Sequence, residues 1–222
     1  MALHDLTLAI PAQLEQRDWP NEPSVCRSTV RTNQWHVAGG RSQYHARVHF
    51  FKFWSMAGTY IDFPGHIVET DDGRDASVVR AEELFRVKGT ILHLNREDGS
   101  GPVTAADLAA VCPIEQLCGK ALVINALGGK RFDGIRARSV YLSSDAVAWM
   151  VAAQITLLVS DVYESGDQPQ NVFPDLFAAG ISTVCFPEAL AGVKGPCVRV
   201  TALPYRLAEA TQLPCRLILE DD

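Results

Sequence analysis

Met56-Ala57-Gly58-Thr59-Tyr60-Ile61-Asp62-Phe63-Pro64-Gly65-His66 is the stretch on which the reading of this chain turns. The run before it, residues 44–54, is rich in aromatic and β-branched side chains and predicts a long strand ending at Trp54. With the chain extended past Trp54, Met56, Gly58, Tyr60 and Asp62 share one face, because strand side chains alternate. Gly58 lacks a side chain, so a ligand or another backbone can approach closely there. Pro64-Gly65 predicts a turn that brings His66 back toward Asp62. A carboxylate and an imidazole then stand beside a thioether and a phenol, with the Trp54 indole as a neighbouring wall.

Outward from this stretch, strands and helices intermix without strict alternation. Upstream, Asp5–Ile10 predicts a strand stopped by Pro11, residues 11–24 a proline-containing loop, 26–32 a strand and 33–43 a turn region around Gly39-Gly40. Downstream, 69–73 predicts a turn, 80–86 a short helix and 89–94 a strand. Thr104-Ala-Ala-Asp107 opens a helix ending near Val111, in the manner of a capping box. Residues 121–126 predict a buried strand and 128–138 a basic loop. Ser143-Ser144 caps a helix to about Ala153, and 155–160 form an interior strand. Pro174 suits a first helical turn and Gly180 a helix end. Residues 181–186, 197–203 and 215–220 predict the remaining strands. The expectation is one mixed α/β domain over residues 1–222, with helices covering a core sheet.

Composition narrows the function classes. The 222 residues are 47% hydrophobic and 21% charged, with a net charge of -6. That balance suits a globular protein and argues against nucleic acid or an anionic membrane as a general partner. Asp5 interrupts any N-terminal apolar run and no basic segment precedes it, so no signal peptide is expected. The apolar run 147–159 is broken by Gln154 and is too short to span a bilayer. A cytoplasmic location is expected. The six cysteines show no C-x-x-C spacing and predict buried free thiols rather than disulfides.

The central stretch resembles the signature H-x-G-T-H-x-D-x-P-x-H of the cyclase superfamily, which includes bacterial kynurenine formamidases, isatin hydrolases and some polyketide cyclases. Gly58, Thr59, Asp62, Pro64 and His66 match; Met56 and Tyr60 stand where the first two histidines would be. Residues 142–149, 157–161 and 176–181 resemble further family segments in the same order, as do Ala202-Leu-Pro204-Tyr205 and Leu213-Pro214-Cys-Arg216, so the resemblance runs from residue 5 to about 219. It implies a mixed-sheet swivelling β/β/α domain, usually assembled as dimers or tetramers, with a catalytic divalent metal. Counting from Gly180 puts a further family histidine at Phe173 and a family glutamate at Cys185, with Glu188 nearby. Four of the six usual polar positions are therefore replaced, by Met56, Tyr60, Phe173 and Cys185.

A catalytic zinc needs about three protein ligands. Asp62, His66 and Cys185 make a mixed set with no spacing signal behind it. His45 and His49 on an extended strand sit about 13 Å apart and do not share one ion. Lone His4, His36 and His93, and the loop acids Asp161 and Glu164, read as surface or satisfied groups.

The expectation is therefore a metal-independent enzyme without cofactor, acting on a small carbonyl-bearing substrate by ring closure, lactone or amide opening, dehydration or isomerisation, for example in natural-product biosynthesis. His66 serves as general base or acid, Asp62 orients it and raises its pKa, and Tyr60 donates to a developing oxyanion. Met56, Phe173, Trp54 and Cys185 line the pocket. The alternatives are a metal-dependent hydrolase with a rearranged site and a non-catalytic small-molecule binder. The resemblance implies a homo-oligomer, most simply a dimer, with Trp19 and Trp35 available for an interface.

Overall fold

Short runs of Val, Ile and Leu, apolar at every position rather than every second one, build the centre of the fold, because parallel strands covered on both faces need no polar side. The computed structural model describes residues 2–10, 25–37, 40–96, 100–128, 140–164 and 171–221. Its elements run β1 (Ala2–Asp5), β2 (Val25–Val37), β3 (Gly40–Lys52), β4 (Tyr60–Asp62), β5 (Val87–His93), β6 (Gly101–Val103), α1 (Ala105–Val111), β7 (Ala121–Asn125), β8 (Val140–Leu142), α2 (Ser144–Ala152), β9 (Leu157–Ser160), α3 (Val172–Ala178), β10 (Ser182–Cys185), β11 (Cys197–Pro204) and β12 (Gln212–Asp221). The chain divides into two compact units, Met1–Leu8 with Gly58–Asp222, and Ala9–Ala57.

In the larger unit, eight strands follow the order β1-β12-β11-β5-β7-β9-β10-β4, and β4 also pairs with β12, so the sheet closes on itself. β5, β7, β9 and β10 are parallel; β4, β11 and β12 run antiparallel to their neighbours. Ile61, Ile91, Val123, Val159, Val184 and Leu217 fill the interior. The alternate residues Leu122, Ile124 and Leu158 are equally buried on the outer face. There α1 packs on β5 and on α2, and α2 on α3. The Thr104 cap forms as expected: its backbone N–H donates to Asp107 Oδ2 at 2.8 Å, and the Asp107 N–H donates to Thr104 Oγ1 at 3.2 Å. Gly180 adopts φ +74° just beyond α3. Among the described residues no helix is long and apolar enough to cross a membrane.

Several expectations need correction. The first strand is residues 2–5, not 5–10; Leu6 instead enters the core, its N–H donating to Leu217 O at 2.9 Å. The strand expected to end at Trp54 stops at Lys52 and does not continue into the motif. Residues 55–59 form turns and bends, Gly58 has φ +67°, and extension resumes only at Tyr60. Thus only Tyr60 and Asp62 keep the shared parity, and the argument joining them to Met56 and Gly58 fails. The cysteines are also not all free: Cys118 and Cys197 form a disulfide across 79 residues, with Cα atoms 5.5 Å apart. Both sit beside Thr90 of β5, Cys197 as its strand partner and Cys118 through an N–H bond to its hydroxyl. A pairing made by sheet register leaves no spacing signal. Cys112, Cys185 and Cys215 are free thiols.

The smaller unit contains the β2–β3 hairpin, paired without interruption from Val25↔Lys52 to Val37↔Gly40. Trp19, the Trp35 side chain and most of the basic loop over 128–138 lie outside the described residues.

The disulfide yields a direct expectation. Closing a loop of this length constrains the unfolded chain by about 4 kcal/mol. Urea unfolding of Cys118→Ser, or of the wild type with reductant, should show a loss of that order. Equal midpoints with and without reductant would contradict the bridge.

Candidate functional site

β4 is three residues long, and its value lies in its neighbours. Asp62 stands opposite Thr183 of β10 on one side and Gln212 of β12 on the other; Tyr60 stands opposite Cys185 and Pro214. Paired residues project from the same face of a sheet. Ile61 and Val184 belong to the barrel core, so Tyr60, Asp62, Thr183, Cys185 and Gln212 occupy the outer face. Thr59 fixes the entry to the strand: its hydroxyl donates to Phe186 O at 2.6 Å and accepts from Leu8 N at 2.7 Å. The exit is the expected turn. Pro64–His66 is a single 3₁₀ turn, with the His66 N–H donating to Phe63 O at 2.9 Å and the Thr70 hydroxyl to Pro64 O at 2.8 Å.

Asp62 is 2% exposed. Its Oδ2 accepts long bonds from Thr183 Oγ1 at 3.5 Å and Cys185 Sγ at 3.7 Å, and the Gln212 side chain also donates to the carboxyl. Oδ1 is buried with no hydrogen-bond partner. Burial pushes the Asp62 pKa up to about 7, outweighing the hydrogen bonds from Gln212, Cys185 and Thr183 that favour the carboxylate. Gln212 Nε2 also lies 3.3 Å from His66 Nε2. An amide NH₂ carries two donors, so Gln212 bridges carboxyl and imidazole. Accepting that bond requires an unprotonated Nε2, which leaves the His66 proton on Nδ1.

This overturns the expected direct pairing. Gln212 stands between Asp62 and His66, and burial lowers the His66 pKa instead of a carboxylate raising it. The two groups are pushed toward their neutral forms, acid up and base down, by the same desolvation.

Aromatic rings wall the pair. Phe177 meets the His66 ring edge-on at 6.4 Å, Phe173 packs on Phe177 at 5.8 Å and stacks on Tyr163 at 5.0 Å, and Tyr60 leans on Phe186 at 5.5 Å. The fully buried Tyr163 donates its hydroxyl to Val184 O at 2.9 Å. Burial holds its pKa well above the ordinary phenol value, and Cys185, Asp62 and Tyr60 reinforce the shift. Tyr60, Asp62, His66, Phe173 and Cys185 are therefore one cluster. Trp54 and Met56 belong to the smaller unit, where the Trp54 ring is exposed and its carbonyl accepts from Ala57 N at 3.0 Å. Asp161 is not a solvated rim acid: it is buried and accepts from Ala126 and Leu127 N–H groups at 2.9 and 2.8 Å. Glu164 caps α3 by accepting from Phe173 N at 3.3 Å. Gln212, Thr183, Tyr163 and Phe177 went unread in the sequence. The available signals were position alone: Phe177 lies inside 176–181 and Gln212 directly precedes 213–216, two segments that carry the resemblance.

The divalent metal that the resemblance implies does not fit this donor set. The residues sharing the sheet face with the Asp62 carboxyl, one of whose oxygens is buried without a partner, offer a phenol, a thiol and an amide, and a phenyl ring occupies position 173. Among the described residues no group of three His, Cys, Asp or Glu side chains is placed to hold a metal ion. A separate cleft of about 440 Å³, lined by Arg74, Glu82, Glu83, Lys88, Lys120 and Ser182, opens where the parallel strands begin. Its titratable side chains are all at least partly exposed, unlike Asp62.

The raised pKa of Asp62 has a signed consequence for stability. The unfolded chain ionises at the ordinary carboxylate value, below the folded one, so stability is full at low pH and drains as pH rises toward 7. Between pH 5 and pH 8 the wild type should lose about 3 kcal/mol that Asp62→Asn does not lose, read by urea unfolding of both proteins. Parallel curves for the two would contradict the shift.

Comparison with known proteins follows the same lines. The Cyclase family model matches residues 4–165. No match is found among curated proteins. Solved structures with the same fold include a predicted metal-dependent hydrolase from Bacillus stearothermophilus, 19% identical, covering 98% of this chain and 97% of its own, with a TM-score of 0.71. An isatin hydrolase bound to the product analogue thioisatinate is 15% identical, with coverage of 98% and 91% and a TM-score of 0.72. Isatin hydrolase A from Ralstonia solanacearum is 12% identical, with coverage of 98% and 91% and a TM-score of 0.71. The mixed closed sheet, the order of its segments and the family match over most of the chain agree: this chain belongs to the Cyclase family.

Proposed function

We propose that this chain is an enzyme that opens or closes a small cyclic carbonyl compound, a lactone or activated lactam, by acid–base chemistry without a metal at the Asp62–His66 site. The observation that carries the reading is the desolvated Asp62 carboxyl with a pKa of about 7, coupled through Gln212 to a neutral His66. A catalytic acid or base works best when its pKa lies near the working pH. For ring opening, ionised Asp62 takes a proton from the water whose oxygen bonds to the carbonyl carbon, and as the ring C–O or C–N bond breaks it returns that proton to the departing oxygen or nitrogen; ring closure is the reverse. His66, with its proton on Nδ1, donates a hydrogen bond to the substrate carbonyl oxygen as a neutral imidazole, and Tyr60 supplies a second donor. Gln212 is a positioning residue: it selects the imidazole tautomer and steadies the carboxylate.

Acid–base catalysis contributes about 10²–10⁴-fold, so the substrate must already be activated. Strained lactones and isatin-type lactams meet that condition, and three structural neighbours bear the name isatin hydrolase. The Phe173–Phe177–Tyr163 wall suits a flat, aromatic ring.

A panel of isatin and small aryl lactones, assayed with a chelator present, tests the reading. Turnover should persist in chelator, rise as pH climbs through about 7 as Asp62 ionises, and fall at least about 10²-fold in Asp62→Asn and in His66→Ala. Gln212→Leu removes a bond that favours the carboxylate, so it should move the midpoint of the pH–rate curve upward, which a purely structural defect would not do. Activity lost in chelator and restored by zinc, or wild-type rates in Asp62→Asn, would sink it.

A further inference from the structure

The cleft of about 440 Å³ where the parallel strands begin is built by a row of strand entrances. β5, β7, β9 and β10 lie side by side, and Lys88, Lys120, Thr156 and Ser182, at or beside their first residues, all line it. Main-chain bonds hold the row level: the Thr156 N–H donates to Lys120 O at 2.9 Å and the Ser182 N–H to Thr156 O at 3.0 Å. Lys88 and Lys120 directly precede the paired residues Gly89 and Ala121, so two ammonium groups start from adjacent strands at one level, about 4.8 Å apart at the backbone. Gly119 permits this approach, because a Cβ there would run into the Lys88 carbonyl. Cys118, one residue earlier, is tied to Cys197 and fixes that wall.

Two features of this cleft are unfavourable while it is empty. Like charges on adjacent strands repel, and among the described residues neither Lys88 nor Lys120 is in an ion pair. Ser182 is 2% exposed, and its hydroxyl is buried without a hydrogen-bond partner, which is costly. Strand alternation turns that hydroxyl to the barrel interior with Val184, the side from which Leu84 and Val87 join the lining. Thr183 turns the other way, so β10 separates the cleft from the Asp62 carboxyl. On the facing wall Glu83 is held by Arg74 at 3.0 Å and by Arg80 at 3.4 Å. Arg74, Lys88 and Lys120 against Glu82 and Glu83 leave the lining at +1, in a chain of net charge -6. We propose that this cleft is a second ligand site, for a small elongated anion, a dicarboxylate or a phosphate ester of a polyol. Its charged end bridges Lys88 and Lys120, its carbon chain lies against Leu84 and Val87, and an acceptor oxygen at its far end takes the Ser182 hydroxyl proton in a hydrogen bond. Such a ligand gives both ammonium groups and the orphaned hydroxyl the acceptors that the protein withholds.

Amide chemical-shift titration of the full chain with glutarate and with glycerol phosphate, each to millimolar concentration, tests this. At least one should saturate, with shifts at Gly119, Lys120 and Ser182 that weaken in added salt, and the tighter of the two names the oxyanion as carboxylate or phosphate. Lys88→Gln/Lys120→Gln should bind that probe at least about tenfold more weakly, and Ser182→Ala at least about threefold. Without ligand, both variants should unfold in urea at or above the wild-type midpoint, because each removes an unfavourable feature. His66→Ala should bind the probe as the wild type does. Failure of both probes to saturate, undiminished binding in the lysine variant, or weaker binding in His66→Ala would overturn the proposal. So would a lower ligand-free midpoint in Ser182→Ala, which would show that the hydroxyl serves the fold.

Discussion

The register of β4 between β10 and β12 is the constraint on which the site depends. Three residues close the barrel, and closing it places Asp62 between Thr183 and Gln212 on the outer face, where α3 and its phenyl rings exclude water. A shift of one residue would turn Asp62 into the core and bring Ile61 out. The threonine before β4, bonded to Leu8 and Phe186, guards against that slip. The invariant geometry of a barrel seam and the unusual chemistry of a buried carboxyl are thus one feature.

Desolvation then decides the electrostatics. Three weak donors surround the carboxyl and one oxygen has none, so the hydrogen bonds do not offset the loss of water. Partial desolvation also lowers the imidazole pKa, although His66, unlike Asp62, keeps one side open to solvent. A direct ion pair would have driven the two pKa values the opposite way and left both groups charged and unreactive at neutral pH. The intervening amide keeps them coupled without forcing ionisation. Tyr60, Phe173 and Cys185 bring no imidazole or carboxylate to this neighbourhood, which suits a neutral acid better than a cation.

Much of this was legible in the chain. Apolar runs marked β5, β7, β9 and β10 because their burial on both faces leaves no alternation to misread. Thr104 marked a helix start through its capping bonds, and Ser143 marked the position before α2 although its hydroxyl donates to Val103 O instead of capping the helix. The Gly-Thr-x-x-Asp-x-Pro-x-His pattern marked Asp62 and His66 because the turn at Pro64 is local. Met56 lost the shared parity because β3 ends at Lys52 and residues 55–59 turn, Gly58 with a positive φ, before extension resumes at Tyr60. Gln212 and the Cys118–Cys197 bridge were hidden for a common reason: both are contacts between strands far apart in sequence, set by register rather than by neighbours.

The ionisation of Asp62 itself is the most direct measurement. A ¹³C titration of aspartate carboxyl carbons, with Asp62→Asn to assign the resonance, should show Asp62 titrating near 7, while Asp75, held by the Ser77 hydroxyl and backbone N–H donors, and Asp221, held by the Ala2 N–H and the His4 side chain, titrate at about 2. In Gln212→Leu the Asp62 midpoint should move higher still. An Asp62 midpoint at the ordinary carboxylate value, unmoved by that substitution, would contradict the coupling of burial, bridge and function.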